Sequence, residues 1–319
     1  MVHGAATKLK LRLSFAAPTP GAPSLVWIKG GWESHSAWLA SCSQIYAREA
    51  WFYRVLNPKV RMNTPGVFFA DFADSGYGVI VMEDLVERGA TLTQCTQSAP
   101  PERMRRSLRE LAKLHARFWE DAFLDGPHLD VPMRADNHTS DWPRSNGPEV
   151  IAKFMATDRC AQMPASVRDP QRIDRAFWVH LEDMKNNGPF CLLHGDTHPG
   201  NGFVDADGAP GFFDWQTIAK GPWAYDISYH IISSLDVEDR RRHEKELLEF
   251  YLDQLAAFGV SAPPSFDAAW LQYRRYIAYG LHIWITNPST FQAEANCASL
   301  TTRFSTAAAD LDFFAAWEV

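Results

Sequence analysis

The run His194-Gly195-Asp196-Thr197-His198, followed by Asn201 five residues after Asp196, holds the densest polar chemistry in the chain. An aspartate in such a loop can take or orient the proton of a hydroxyl nucleophile. An asparagine oxygen five residues on, and the carboxylate of Asp214 beyond it, are ligands a hard divalent cation accepts. Two other readings compete. The run could be a polar turn with a capping aspartate, or His-x-Asp-x-His could ligate zinc, which needs further ligands at helical or strand spacing. The remaining histidines, at 3, 35, 115, 128, 138, 180, 230, 243 and 282, form no such cluster. Asn201 and Asp214 in register with Asp196 also speak against a simple turn.

These residues need elements to hold them. The apolar run Cys191-Leu192-Leu193 reads as a short strand that ends at His194. Gly202-Phe203-Val204 and Gly211-Phe212-Phe213 read as two more, joined by Asp205-Ala206-Asp207-Gly208, whose Asp-Gly pair is turn chemistry. The second strand delivers Asp214. Upstream, Lys8, Lys10 and Arg12 alternate with Leu9, Leu11 and Leu13, a strand pattern and not the apolar core of a signal peptide. Pro18 to Pro23 is a loop, and a second strand from Leu25 to Ile28 ends at Lys29. A helix is expected from Ser36 to Leu56, stopped at Pro58. Strands are expected over 67–70 and 77–82, with Asp71 to Gly76 as their turn.

Downstream, Ser98 and Pro100-Pro101 open a helix with Met104, Leu108, Leu111, Leu114 and Phe118 at helical spacing. Residues 121–148, rich in Pro, Asp, Gly and Asn, form a long connection of the kind that serves as a lid or binding loop. A helix from Val237 to Phe258 stops at Gly259, and another runs from after Ser265 to Ile285. The latter carries Trp270, Tyr273, Tyr276, Tyr279, Gly280 and Trp284, with Tyr273, Tyr276 and Gly280 on one face. That face is either core or the wall of a ligand pocket.

The 319 residues, 46% hydrophobic and 13% aromatic, can bury a large core and are not a disordered chain. Five scattered cysteines without a Cys-x-x-Cys pair fit reduced thiols and a cytoplasmic location. No apolar run reaches membrane-spanning length. Residues 1–179 carry 22 basic and 19 acidic groups, and residues 180–319 carry 9 and 19. There is no basic stripe for nucleic acid.

The spacing from Asp196 to Asn201, the hairpin and Asp214-Trp215 resemble the catalytic segment of protein kinases. With Asp226-Ile227-Ser228-Tyr229, they resemble the aminoglycoside phosphotransferase and choline-kinase-like small-molecule kinases, closest to the ecdysteroid-kinase-like and bacterial branches. Leu111-Ala-Lys-Leu-His115-Ala-Arg-Phe-Trp119 and Tyr46-Ala-Arg-Glu49-Ala-Trp-Phe-Tyr53 are similar to family runs as well. The resemblance implies an α+β, bilobal kinase-like fold, with a nucleotide-binding N-lobe over 1–84 and a mostly helical C-lobe over 85–319. It implies Asp196 as base or orienting residue, with His194 and Asp226 bracing its loop as a carboxylate–histidine pair. Asn201 and Asp214 would hold magnesium. Lys29, paired with Glu49, would hold the ATP phosphates, with His198 on phosphate or capping the loop. Met82, Glu83 and Leu85 would form the adenine hinge. The acceptor would be a small-molecule hydroxyl: an apolar or aromatic alcohol if the aromatic helix lines the pocket, an aminoglycoside-like amine if the acidic half does. A nucleotide-binding protein without transferase activity is the remaining alternative. One departure stands out: where the family has a glycine-rich phosphate loop, only Met1 to Thr7 stands here, with Gly4 as the candidate for its last glycine, and either the first strand is nearly absent or the start has been clipped.

Overall fold

Alternation decides the first sheet. A computed structural model describes residues 5–17, 20–33, 44–125 and 141–319. In β1 (Thr7–Arg12) the lysines Lys8 and Lys10 share one face and Leu9 and Leu11 the other. β1 pairs antiparallel with β2 (Leu25–Gly30), which sets Lys8 opposite Lys29 and Lys10 opposite Trp27. β3 (Val67–Phe72) and β4 (Gly78–Glu83) complete a four-stranded sheet in the order β1-β2-β4-β3.

Before β3, α1 (Ile45–Trp51) runs through a π-helical turn at Phe52–Leu56 into α2 (Asn57–Val60). Pro58 does not stop the helix as expected. The chain stays helical through it to Val60, just after the π-helical turn, and Arg61 ends the helix at φ 56°. Gly4, the expected helix start at Ser36 and most of the long connection lie outside the described residues.

The remainder is mostly helical. β5 (Thr91–Leu92) leads to α3 (Pro101–Arg117), α4 (Asp141–Ser145), α5 (Pro148–Met155) and α6 (Pro170–Asn186). β6 (Phe190–Leu193) pairs with β9 (Ala219–Pro222), and between them β7 (Gly202–Val204) and β8 (Pro210–Phe212) form the expected hairpin. α7 (Ala224–Ser234), α8 (Val237–Ala257), α9 (Phe266–Arg275), α10 (Ile277–Thr286), α11 (Glu294–Asp310) and α12 (Phe313–Trp317) close the fold. α3 buries Met104, Leu108 and Leu111, and α8 buries Leu247, Leu248 and Tyr251, in one core. The loop after β6 is thus seated on a packed core.

The single aromatic helix expected over 266–285 is two helices, broken at Tyr276. Tyr273 and Tyr276 are core residues and not a pocket wall. The Tyr273 hydroxyl donates to Glu244 on α8 (3.1 Å), and that of Tyr276 to Asp183 on α6 (2.9 Å). A Cβ on Gly280 would lie 2.0 Å from the Phe304 ring, so this face is a helix-packing seam. Helices α4, α5, α6, α7, α11 and α12 are not legible in the sequence pattern. No described helix is long and apolar enough to cross a membrane.

Candidate active site

The chain leaves β6 through Gly195, whose φ of 84° and contact with Thr217 admit no side chain: a Cβ would lie 2.2 Å from the Thr217 carbonyl oxygen. The turn is fixed from below by Asp226 at the start of α7. Its fully buried carboxylate accepts the His194 N–H (2.7 Å) and the Gly195 N–H (2.9 Å). The histidine paired with that carboxylate is His115 of α3, not His194. His115 Nε2 lies 3.2 Å from Asp226 Oδ2, and its Nδ1 lies 2.7 Å from the Tyr251 hydroxyl. His194 braces the other side. Its Nδ1 accepts the Asp196 N–H (3.2 Å) and its Nε2 meets the Phe213 carbonyl (3.1 Å). Burial lowers its pKa, which keeps the ring neutral for both roles. With both nitrogens engaged, His194 is not free to ligate zinc.

Asp196 is the partly open group of this cluster, its side chain 29% exposed. Asn201 Nδ2 donates to its Oδ2 and to its backbone carbonyl, both at 2.9 Å. His198 Nε2 stands 3.4 Å from the same Oδ2, and the Tyr229 hydroxyl donates to Oδ1 (3.2 Å). The Gly200 N–H lies 3.0 Å from His198 Nδ1. Burial opposes a charge on this ring, but Asp196 outweighs it and raises the His198 pKa well above its ordinary value, so the imidazolium pairs with the carboxylate. His198 therefore caps the loop and steadies Asp196; it does not line the cavity described below. Burial opposes the charge of Asp196, but His198 beside it outweighs burial and holds the carboxyl below its ordinary value. Tyr229 was missed as a site residue. Its signal lay in the Asp226-x-x-Tyr229 spacing, one helical turn apart on α7.

Across the hairpin, the Phe213 N–H donates to the Asn201 carbonyl (3.0 Å), so Asn201 and Asp214 meet at one hairpin mouth. Asp214 adopts φ 65°, ψ 59°, a left-handed conformation that aspartate tolerates and that clusters at functional sites. Lys29 Nζ bridges Glu49 Oε2 and Asp214 Oδ1, each at 2.7 Å. The expected Lys29–Glu49 pair is present, with Asp214 as a second partner. Burial opposes ionisation of Asp214, but Lys29 prevails and holds it at about 2. Glu49 is pushed up by burial, and Lys29 opposes that shift. The helix carrying Glu49 docks on the segment after Asp214. The Phe52 ring stacks on Trp215 with centroids 3.7 Å apart, and Arg48 donates to the Ile218 carbonyl (3.1 Å).

A cavity of about 270 Å³ opens in front of Lys29, lined by Trp27, Lys29, Met82, Leu85, Phe213 and Asp214 among others. Met82 and Leu85, expected at the hinge, both line this cavity. The Leu85 amide has no acceptor among the described residues, so it can serve a planar base. Glu83 lines the same cavity. Its N–H donates to the Gly66 carbonyl (2.9 Å), and its carboxylate takes the Gly66 N–H (2.7 Å) and Arg88 (2.8 Å). Asp84 does unexpected work at the cavity mouth. Oδ1 accepts the Val86 and Glu87 N–H groups, and Oδ2 holds Lys10 (2.6 Å) and the Trp27 indole (3.1 Å).

A family model described as "Phosphotransferase enzyme family" matches residues 39–274. The chain belongs to the phosphotransferase enzyme family. The match takes in Glu49, the catalytic loop, Asp214 and Asp226, whereas Lys29 precedes it and stands on its geometry. Among solved structures, this phosphotransferase resembles the microcompartment-associated aminopropanol kinase at 15% identity and a TM-score of 0.51, over 95% of this chain and 90% of that one. It also resembles the GDP complex of wild-type aminoglycoside 2'-phosphotransferase-IIIa at 11% identity and a TM-score of 0.50, over 89% and 87% of the two chains. No curated protein matches the chain. At such identities the likeness speaks for the fold, which is bilobal, α+β and kinase-like. By family the chain is a small-molecule phosphotransferase.

The residues at the hairpin mouth fit a magnesium ion. Asn201 Nδ2 is spent on Asp196, which leaves the amide oxygen as the atom that could take a metal, and Asp214 keeps Oδ2 beside the oxygen bound to Lys29. No group of three or more His, Cys, Asp or Glu side chains among the described residues could hold a metal by itself. Two protein oxygens suffice for magnesium, which keeps its waters and takes substrate phosphates as further ligands.

Proposed function

We propose that this protein transfers the γ-phosphoryl group of ATP to a hydroxyl of a small molecule. The observation that carries the reading is the bridge from Lys29 to Glu49 and Asp214, each at 2.7 Å, in a cavity that reaches Met82 and Leu85. Adenine would lie between Met82, Trp27 and Phe213, bonded to the Leu85 amide. Lys29 would hold the α- and β-phosphates, and magnesium on Asn201 and Asp214 would neutralise phosphate charge.

Asp196 would receive the acceptor. Its carboxylate accepts a hydrogen bond from the hydroxyl, whose oxygen bonds to the γ-phosphorus as the bond to ADP breaks. The proton passes to Asp196 and then to solvent. The lowered pKa of Asp196 makes it a weak base, suited to orienting the hydroxyl and taking its proton late. Such a role fits a loose phosphoryl transition state, where positioning dominates.

Tyr229, which bonds Asp196, packs on Tyr279 with centroids 5.1 Å apart. Both rings are buried in the same core as Tyr273 and Tyr276, so they form no wall for an acceptor, and the apolar or aromatic alcohol stays as the acceptor class to be tested. The test is Asp196→Asn assayed with a panel of hydroxylated compounds, with nucleotide affinity measured alongside. Turnover should fall on the order of 10²–10⁴-fold while affinity stays within threefold. Near-normal turnover overturns the assignment of Asp196, and activity on kanamycin-like amines alone overturns the acceptor class.

A further inference from the structure

β1 carries a cation that the reading above leaves unused. Lys8 lies directly opposite Lys29 in the β1–β2 register and lines the same cavity. Like charges directly opposite on a sheet are destabilising. Lys10, two residues on, is held by Asp84 at 2.6 Å, but Lys8 has no carboxylate within ion-pair distance among the described residues. Its charge stabilises the ionised forms of Glu49 and Asp214 from across the cavity. Lys8 thus faces the cavity from the strand beside Lys29 without an ion-pair partner of its own among the described residues, a position suited to an anion.

We propose that Lys8 is a second lysine for the polyphosphate tail of the nucleotide, acting from β1 beside Lys29. The proposal rests on the nucleotide reading above and adds a residue to it. The placement has a physical use. A backbone loop that wraps phosphates offers neutral N–H donors, whereas an ammonium group on a strand offers full charge from a fixed sheet position. Lys8 reaches the tail by facing the same side of the sheet as Trp27 and Lys29.

The test is equilibrium binding of ATP, ADP and adenosine, followed by quenching of tryptophan fluorescence, which Trp27 in the cavity reports. Lys8→Met should weaken ATP and ADP about tenfold, the scale of one charge-assisted phosphate contact, and leave adenosine within twofold. Lys8→Arg should keep ATP within threefold. Lys8→Gln repeats the measurement should the Met variant fold poorly. Unchanged ATP affinity in Lys8→Met, or an equal loss for adenosine, overturns the proposal while wild-type ATP binding leaves the parent reading standing. If the wild-type protein binds no nucleotide and Lys29→Met changes nothing, the parent reading falls and this proposal with it.

Discussion

Replacing Asp226 by Asn should uncouple the catalytic loop from the C-lobe. The carboxylate accepts three hydrogen bonds without solvent: His194 N–H at 2.7 Å, Gly195 N–H at 2.9 Å and His115 Nε2 at 3.2 Å. An amide has only one oxygen. Placed at the Oδ2 position, it keeps His194 and His115, and its NH₂ faces the Gly195 N–H. Placed at the Oδ1 position, it keeps Gly195 and faces two donors, which is worse. The better case loses one bond to a charged acceptor, about 1.5–3 kcal/mol, and strands a buried donor. The two surviving bonds also weaken, since charge-assisted bonds are roughly twice as strong as neutral ones. Relief from burying a charge offsets part of this, so the net loss should be about 2–4 kcal/mol. Urea titration at neutral pH measures it. The same change frees the Gly195 amide at the turn that aims Asp196, and a 1 Å misplacement can cost on the order of 10²-fold in rate. A loss below about 0.5 kcal/mol with turnover within threefold of wild type would show that Asp226 does not carry the loop.

Tyr229→Phe deletes only the hydroxyl that donates to Asp196 (3.2 Å); turnover should fall about tenfold with nucleotide affinity unchanged, as kinetics and binding measured together will tell. Neither ring nitrogen of His180 has a hydrogen-bond partner among the described residues, and burial drops its pKa from 6.5 to about 3. Because the folded pKa is the lower one, the unfolded chain takes up the proton first, and the stability present above pH 6.5 is lost as pH falls toward 3. By pH 5 this one group costs about 2 kcal/mol, so His180→Leu should match wild type or exceed it in urea at pH 7 and lose less at pH 5. Gly280→Ala puts a Cβ 2.0 Å from the Phe304 ring and should cost about 1–3 kcal/mol of stability by calorimetry, through overpacking of α10 on α11.

What the chain declares on its own is local. The Asp196–Asn201 spacing, the Asp-Gly hairpin before Asp214 and the strand ending at Lys29 are short-range patterns, and each is present in the fold. Lys29 and Glu49 could be paired from sequence only because a family pattern supplied the match. Other assignments needed three dimensions. Asp226 takes its histidine from His115, 111 residues upstream, and uses His194 only through its N–H. Glu83 spends its amide on Gly66, and His198 turns to Asp196 instead of the cavity. The aromatic run after Ser265 promised a wall, but hydroxyl partners on α8 and α6 claim Tyr273 and Tyr276 for the core, and the helix is interrupted at Tyr276. Periodicity reports which side chains share a face. It does not report what that face meets, because hydrogen-bond partners and packing neighbours are set by elements far away in the chain.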